Sequence, residues 1–157
     1  MSTINNNTCD VLNDLIRINN DRIEGYNKAC DESKGNAVEL GNTFQDMIAQ
    51  SRNNITGLSN LVIKYGGTVA TGTTAMGKVY RAWMDIQITF SANDRKNILN
   101  ACEFGEDAAQ KAYKTALDET ELGEEARSLI AMQKNALKDS HDLIKSYRDR
   151  AREKAHA

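Results

Sequence analysis

Residues 98–116, ILNACEFGEDAAQKAYKTA, decide the fold. Ile98/Leu99, Cys102, Glu106, Ala109, Tyr113 and Ala116 recur three and four residues apart, the repeat that places side chains on one face of a helix. Alanines 108, 109, 112 and 116 allow a neighbouring helix close approach. Ser91 or Asn93 can start this helix, predicted over 94–118. One carboxylate, Glu106, interrupts an otherwise apolar stripe, so either a partner or a ligand is expected to meet it inside the protein.

The same spacing extends outward in both directions. A helix over 121–152 carries Ala126, Leu129/Ile130, Gln133, Leu137, His141, Ile144 and Tyr147/Arg148, with Glu124 and Glu125 in its early turns. Upstream, Leu12, Leu15/Ile16, Asn19, Ile23, Tyr26 and Cys30 mark a helix over 9–33, with Asn7 or Thr8 as its cap. Leu40, Phe44, Met47/Ile48, Ile55, Leu58, Val62 and Tyr65 mark another over 37–65, closed by Gly66-Gly67. Residues 66–93 form a crossover: a Gly/Thr-rich loop, then Val79, Tyr80, Trp83, Ile86/Gln87 and Phe90 at helical spacing. Ile86, Ile88 and Phe90 also alternate as a strand would. The chain contains no proline, so nothing interrupts the long helical patterns. The expected fold is all-α, a single ferritin-like four-helix-bundle domain over 1–157 with a long crossover between helices two and three.

Composition narrows the function. The 157 residues carry 20 basic and 22 acidic groups, a net charge of −2, which argues against a nucleic-acid partner. Charge is unevenly spread. Glu103, Glu106, Asp107, Asp118, Glu119, Glu121, Glu124 and Glu125 crowd residues 101–130, whereas Lys145, Arg148, Arg150, Arg152 and Lys154 close the chain. No stretch approaches the ~18 apolar residues of a membrane span, and the N-terminus has neither the basic start nor the apolar run of a signal peptide. Three cysteines make no disulfide framework. Cys30 and Cys102 read as small core residues and Cys9 as an exposed thiol. A reducing cytoplasm is the expected location.

A ferritin-like di-metal centre draws one Glu from each of two helices and a Glu-x-x-His pair from each of the other two. This chain has two histidines, His141 and His156, and Lys138 stands where the first would need its Glu. Helix two offers Gln50/Asn53 or Ser51/Asn54, and helix one offers Asn19. Glu106 and His141 alone fit their roles, with Glu24, Glu103 and Asp21 beside the seams. They read either as a hydrogen-bonded structural pair or as ligands of one transition-metal ion helped by Glu24 or Glu103. No catalytic residue is assigned and no cofactor is expected, the metal ion being the alternative. Gly72 to Lys78 matches the start of a phosphate-binding loop, G-x-x-x-x-G-K, but Val79 follows where Ser or Thr should bind Mg²⁺. An anion contact at Gly72, Gly77 and Lys78 is the remaining expectation there. Tyr80 and Trp83 either anchor the crossover or, left exposed, form a self-association patch.

Taken together, four sets of runs resemble a bacterial family of ferritin-like four-helix-bundle proteins of unknown function. They are Leu12–Ile16 with Asp21–Tyr26, Gly72–Trp83, Cys102–Ala108, and Ser140–Ile144 with Arg148-Asp149. The resemblance spans roughly residues 9–152. It implies the bundle and a cytoplasmic bacterial protein, and no established reaction. The reading is a non-enzymatic bundle that acts by self-association, as a homo-oligomer, or by binding another protein, in a stress-related setting.

Overall fold

A computed structural model describes residues 3–32, 38–74, 83 and 95–156. They form four α-helices: α1 (Thr3–Glu32), α2 (Val38–Lys64), α3 (Arg95–Asp118) and α4 (Glu124–His156). No strand occurs among the described residues. No helix among them is long and apolar enough to cross a membrane.

Side-chain contacts fix the topology. Cys9 meets the Val62 carbonyl, Asn54 donates to Asn19, and Arg22 donates to Ser51, so α1 and α2 run antiparallel. Tyr113 meets Gln133, Asp107 meets His141, and Arg152 meets Asn100, so α3 and α4 are antiparallel too. The Asn19–Tyr113 and Arg22–Glu106 contacts set α1 antiparallel to α3. It follows that α2 and α3 run in the same direction. The chain leaving α2 must therefore return the length of the bundle before α3 begins, and residues 65–94 make that crossover. This is an all-α four-helix bundle with one long connection between its two hairpins.

The apolar stripes bury largely as the spacing predicts, except that Arg22 takes the buried place expected of Ile23 on α1 and Ser140 that of His141 on α4. Leu12, Leu15, Ile16 and Tyr26 of α1 meet Leu40, Phe44, Ile48, Leu58 and Val62 of α2. Ile98, Leu99, Cys102, Ala109 and Tyr113 of α3, with Ala126, Ile130, Leu137 and Ile144 of α4, complete the core. Gly66 ends α2 at a φ of +84°. Its amide reaches the Ile63 carbonyl at 3.0 Å and the Gly67 amide reaches Val62 at 2.9 Å. This paired closure needs a left-handed residue, which glycine adopts without penalty. At the same end, Arg127 donates to the Leu117 and Glu119 carbonyls at 2.7 and 2.6 Å, satisfying acceptors that α3 leaves open.

The helix boundaries need correction. α1 begins at Thr3, not near residue 9, so Thr8 is not a cap. It is buried, and its hydroxyl accepts a hydrogen bond from the Gly123 amide at 3.0 Å, tying α1 to the α3–α4 turn. α4 begins at Glu124, later than the expected 121, and continues to His156. Cys9 is buried rather than exposed, because the earlier helix start carries it over the end of α2. The helix or strand expected over 79–90 lies outside the described residues, apart from Trp83.

The crossover's first part is held by one polar face of α1. Asn13 donates to the Thr68 carbonyl at 2.9 Å and accepts from the Ala70 amide at 2.8 Å. Asn20 donates to the Gly72 carbonyl at 2.8 Å. Buried Asp21 accepts from the Thr74 amide at 3.1 Å and its hydroxyl at 2.7 Å. Trp83 is fully buried. It lies against Gly25 of α1 and Gly105 of α3, where a Cβ at either position would overlap the indole.

Candidate functional site

The bundle interior carries two polar layers. In the first, Arg22 of α1 and Glu106 of α3 are 1% and 0% exposed and pair at 2.8 Å through Nε and Oε1. The guanidinium also donates to Ser51 Oγ at 2.9 Å and the Met47 carbonyl at 3.1 Å, and it reaches Met47 Sδ at 3.3 Å. Tyr26, one helical turn from Arg22, donates its hydroxyl to the same Glu106 oxygen, and its ring lies 5.2 Å from the guanidinium carbon. Every strong Arg22 contact is thus made within the protein. Burial alone would favour loss of the Arg22 charge, but Glu106 outweighs it and keeps the guanidinium protonated. Burial, and then the Glu106 charge, push the Tyr26 hydroxyl and the Cys102 thiol well above their ordinary values. Neither is an activated nucleophile.

In the second layer, Tyr113 donates to Gln133 Oε1 at 2.7 Å and accepts from Asn19 at 2.9 Å. Asn54 donates to Asn19 Oδ1 at 3.2 Å, and Gln133 donates back to the Asn54 carbonyl at 3.1 Å. One residue from each helix closes the ring, so buried amides meet their partners. Two buried polar atoms have no partner among the described residues: Glu106 Oε2 and Trp83 Nε1.

Glu106 and His141 do not meet. Glu106 faces inward to Arg22 and Tyr26. His141 lies at the edge of α4, 17% exposed, with Nε2 2.6 Å from Asp107 Oδ1 and Nδ1 3.0 Å from Asp142 Oδ1. The seam position expected for His141 belongs to Ser140, which is buried and donates to Gln50 Oε1 at 2.9 Å. The metal set centred on Glu106 and His141 is therefore corrected. Glu24 is exposed on α1. Glu103 does approach His141: one ligand atom each from Glu103, Asp107 and His141 lie within 4.8 Å of one another. Arg148 pairs with Glu103 on one side and with Asp149, at 2.9 Å, on the other.

The remaining candidates separate in the same way. Gly72 meets Asn20 through its carbonyl, and the Thr74 amide, a donor an anion would need, is already held by the Asp21 carboxylate. Gly77, Lys78 and Tyr80 lie outside the described residues. Trp83 is not a surface contact residue, because α1 and α3 cover it completely. Sequence reasoning missed Arg22, the residue that governs the interior. Its trace was present: Arg22 stands three residues after Asn19 and four before Tyr26, on the face opposite a carboxylate buried in an apolar stripe.

Among the described residues, the seam offers one carboxylate, Glu106, matched by one guanidinium, Arg22, with amides and hydroxyls around them. Such a set does not fit two divalent ions, whose charge needs bridging carboxylates and whose approach Arg22 opposes. No curated protein matches the chain. The profile of a domain of unknown function (DUF2383) matches residues 7–119, most of the chain, and the protein belongs to that family.

Proposed function

We propose that this protein is a non-enzymatic, ferritin-like bundle of the bacterial cytoplasm that acts through its outer surface, by self-association. The observation that carries this reading is the Arg22–Glu106 pair: the interior supplies its own cation, and burial pushes the Tyr26 hydroxyl and the Cys102 thiol away from reactivity. The ferritin-like assignment is supported by two antiparallel hairpins joined by a crossover that makes α2 and α3 parallel.

The surface supports association in two ways. Ile63, Phe104 and Met132 are 64%, 61% and 63% exposed, large apolar side chains on three different helices. Charge is also separated along the long axis. Glu119, Glu121, Glu124 and Glu125 cluster where α3 passes into α4, and Arg150 and Arg152 lie exposed toward the far end of α4, roughly 40 Å away at 1.5 Å per residue. Opposite charges at opposite ends favour head-to-tail contacts between copies, which close into rings or extend as filaments.

Light scattering over a concentration series at low and high salt tests the reading. The expected result is a mass above one chain that grows with concentration and falls with added salt. A strict monomer at high concentration and low salt overturns it.

A further inference from the structure

We propose that Glu103, Asp107 and His141 bind a single divalent transition-metal ion of the zinc class in the outer groove between α3 and α4. This is separate from the interior and does not rest on self-association. Glu103 and Asp107 are four residues apart on α3, so their carboxylates share one face. His141 reaches that face from α4. One donor atom from each lies within 4.8 Å of the other two, so small rotations bring all three to ligand distance around one ion at ~2.0–2.2 Å.

The histidine is oriented for the task. Its Nδ1 lies 3.0 Å from Asp142, itself held by Lys138 at 3.0 Å, and its Nε2 points to Asp107 at 2.6 Å. A carboxylate on the far nitrogen is the arrangement that fixes a metal-binding imidazole and raises its donor strength. The ion takes the place of the hydrogen between Nε2 and Asp107. Two carboxylates and one neutral imidazole then match a doubly charged ion, and the nitrogen donor favours a transition metal over calcium or magnesium. Arg148, which shares Glu103, keeps Asp149 when the carboxylate turns to the ion. Solvent completes the coordination, because Asp107 is half exposed.

The test uses the full chain, with Zn²⁺ titrated calorimetrically and Co²⁺ followed by visible absorption. The expected result is one ion per chain, with weak d–d bands and no thiolate charge-transfer band. His141→Ala and Asp107→Asn should each weaken binding by at least about tenfold while keeping the helical circular dichroism signal. The proposal is overturned by no stoichiometric binding to the wild type, by unchanged affinity in both variants, or by a thiolate band that moves the site to the cysteines.

Discussion

Glu106 and Asp107 are consecutive on α3 and carry the same charge, yet they face different media. Glu106 is sealed against Arg22 and Tyr26, and Asp107 meets His141 at a solvent-washed edge where it is 51% exposed. Each is met by a nitrogen at under 3 Å, Arg22 for Glu106 and His141 for Asp107. What differs is the alternative each group has when its partner is lost. Water replaces His141 for Asp107, while nothing replaces Arg22 for Glu106. The buried pair therefore specifies how α1, α2 and α3 fit together. The exposed pair is free to exchange its partner, which is what a binding site requires.

Removing one buried charge should do the most damage. Glu106→Gln leaves the Arg22 guanidinium without its anion and should cost ~3–5 kcal/mol in urea unfolding, enough to prevent folding in a marginal bundle. The double change Arg22→Met with Glu106→Leu removes both charges and should restore stability to near wild type or above. If the single variant is as stable as wild type, the pair does not organise the core. Next comes Gly105→Ala, beside Glu106. Its methyl overlaps the indole of Trp83, so a loss of ~1–3 kcal/mol is expected, with Trp83 becoming accessible to a fluorescence quencher. Asp107→Asn, the exposed counterpart, should cost no more than ~1 kcal/mol, a difference that shrinks with salt.

Asp21 is a buried carboxylate with hydrogen-bond donors and no cation partner among the described residues. Burial raises it above the ordinary 3.8, and the Thr74 hydrogen bonds only partly offset this. A raised acid binds its proton more tightly in the folded state. Its contribution to stability is full below the ordinary value and is lost as pH rises through the raised one. On acidification from neutral, wild type should therefore gain stability relative to Asp21→Asn. A parallel pH dependence in the two proteins would remove Asp21 from the account.

The bundle was legible because its helices are long and their stripes regular. Each stripe position named on α3, from Ile98 to Ala116, is buried. The interior chemistry was less legible. On α1 the stripe was continued through Ile23, but the inward face passes through Arg22. A one-residue choice between neighbours 100° apart on the helix decides which one faces the core, and hydrophobicity selects the wrong one when a charge has a buried partner. The same ambiguity, Ser140 against His141, moved the histidine from the seam to the edge. Partner identity across helices is set by three-dimensional register, and spacing within one helix does not contain it. The α1 hold on the crossover was hidden for a related reason: nothing in the spacing of Asn13, Asn20 and Asp21 names the loop that lies upon them.

Trp83 is the chain's single tryptophan, and it comes from the crossover while resting on one helix of each hairpin. The molecule thereby carries an intrinsic optical gauge of its own assembly. Either hairpin can coil locally without changing the indole's surroundings, and only docking of the connection between α1 and α3 takes the ring out of water. Emission wavelength will track closure of the whole bundle, while far-ultraviolet dichroism tracks helix content, so the interval between the two signals during refolding measures how long the hairpins exist before they are joined.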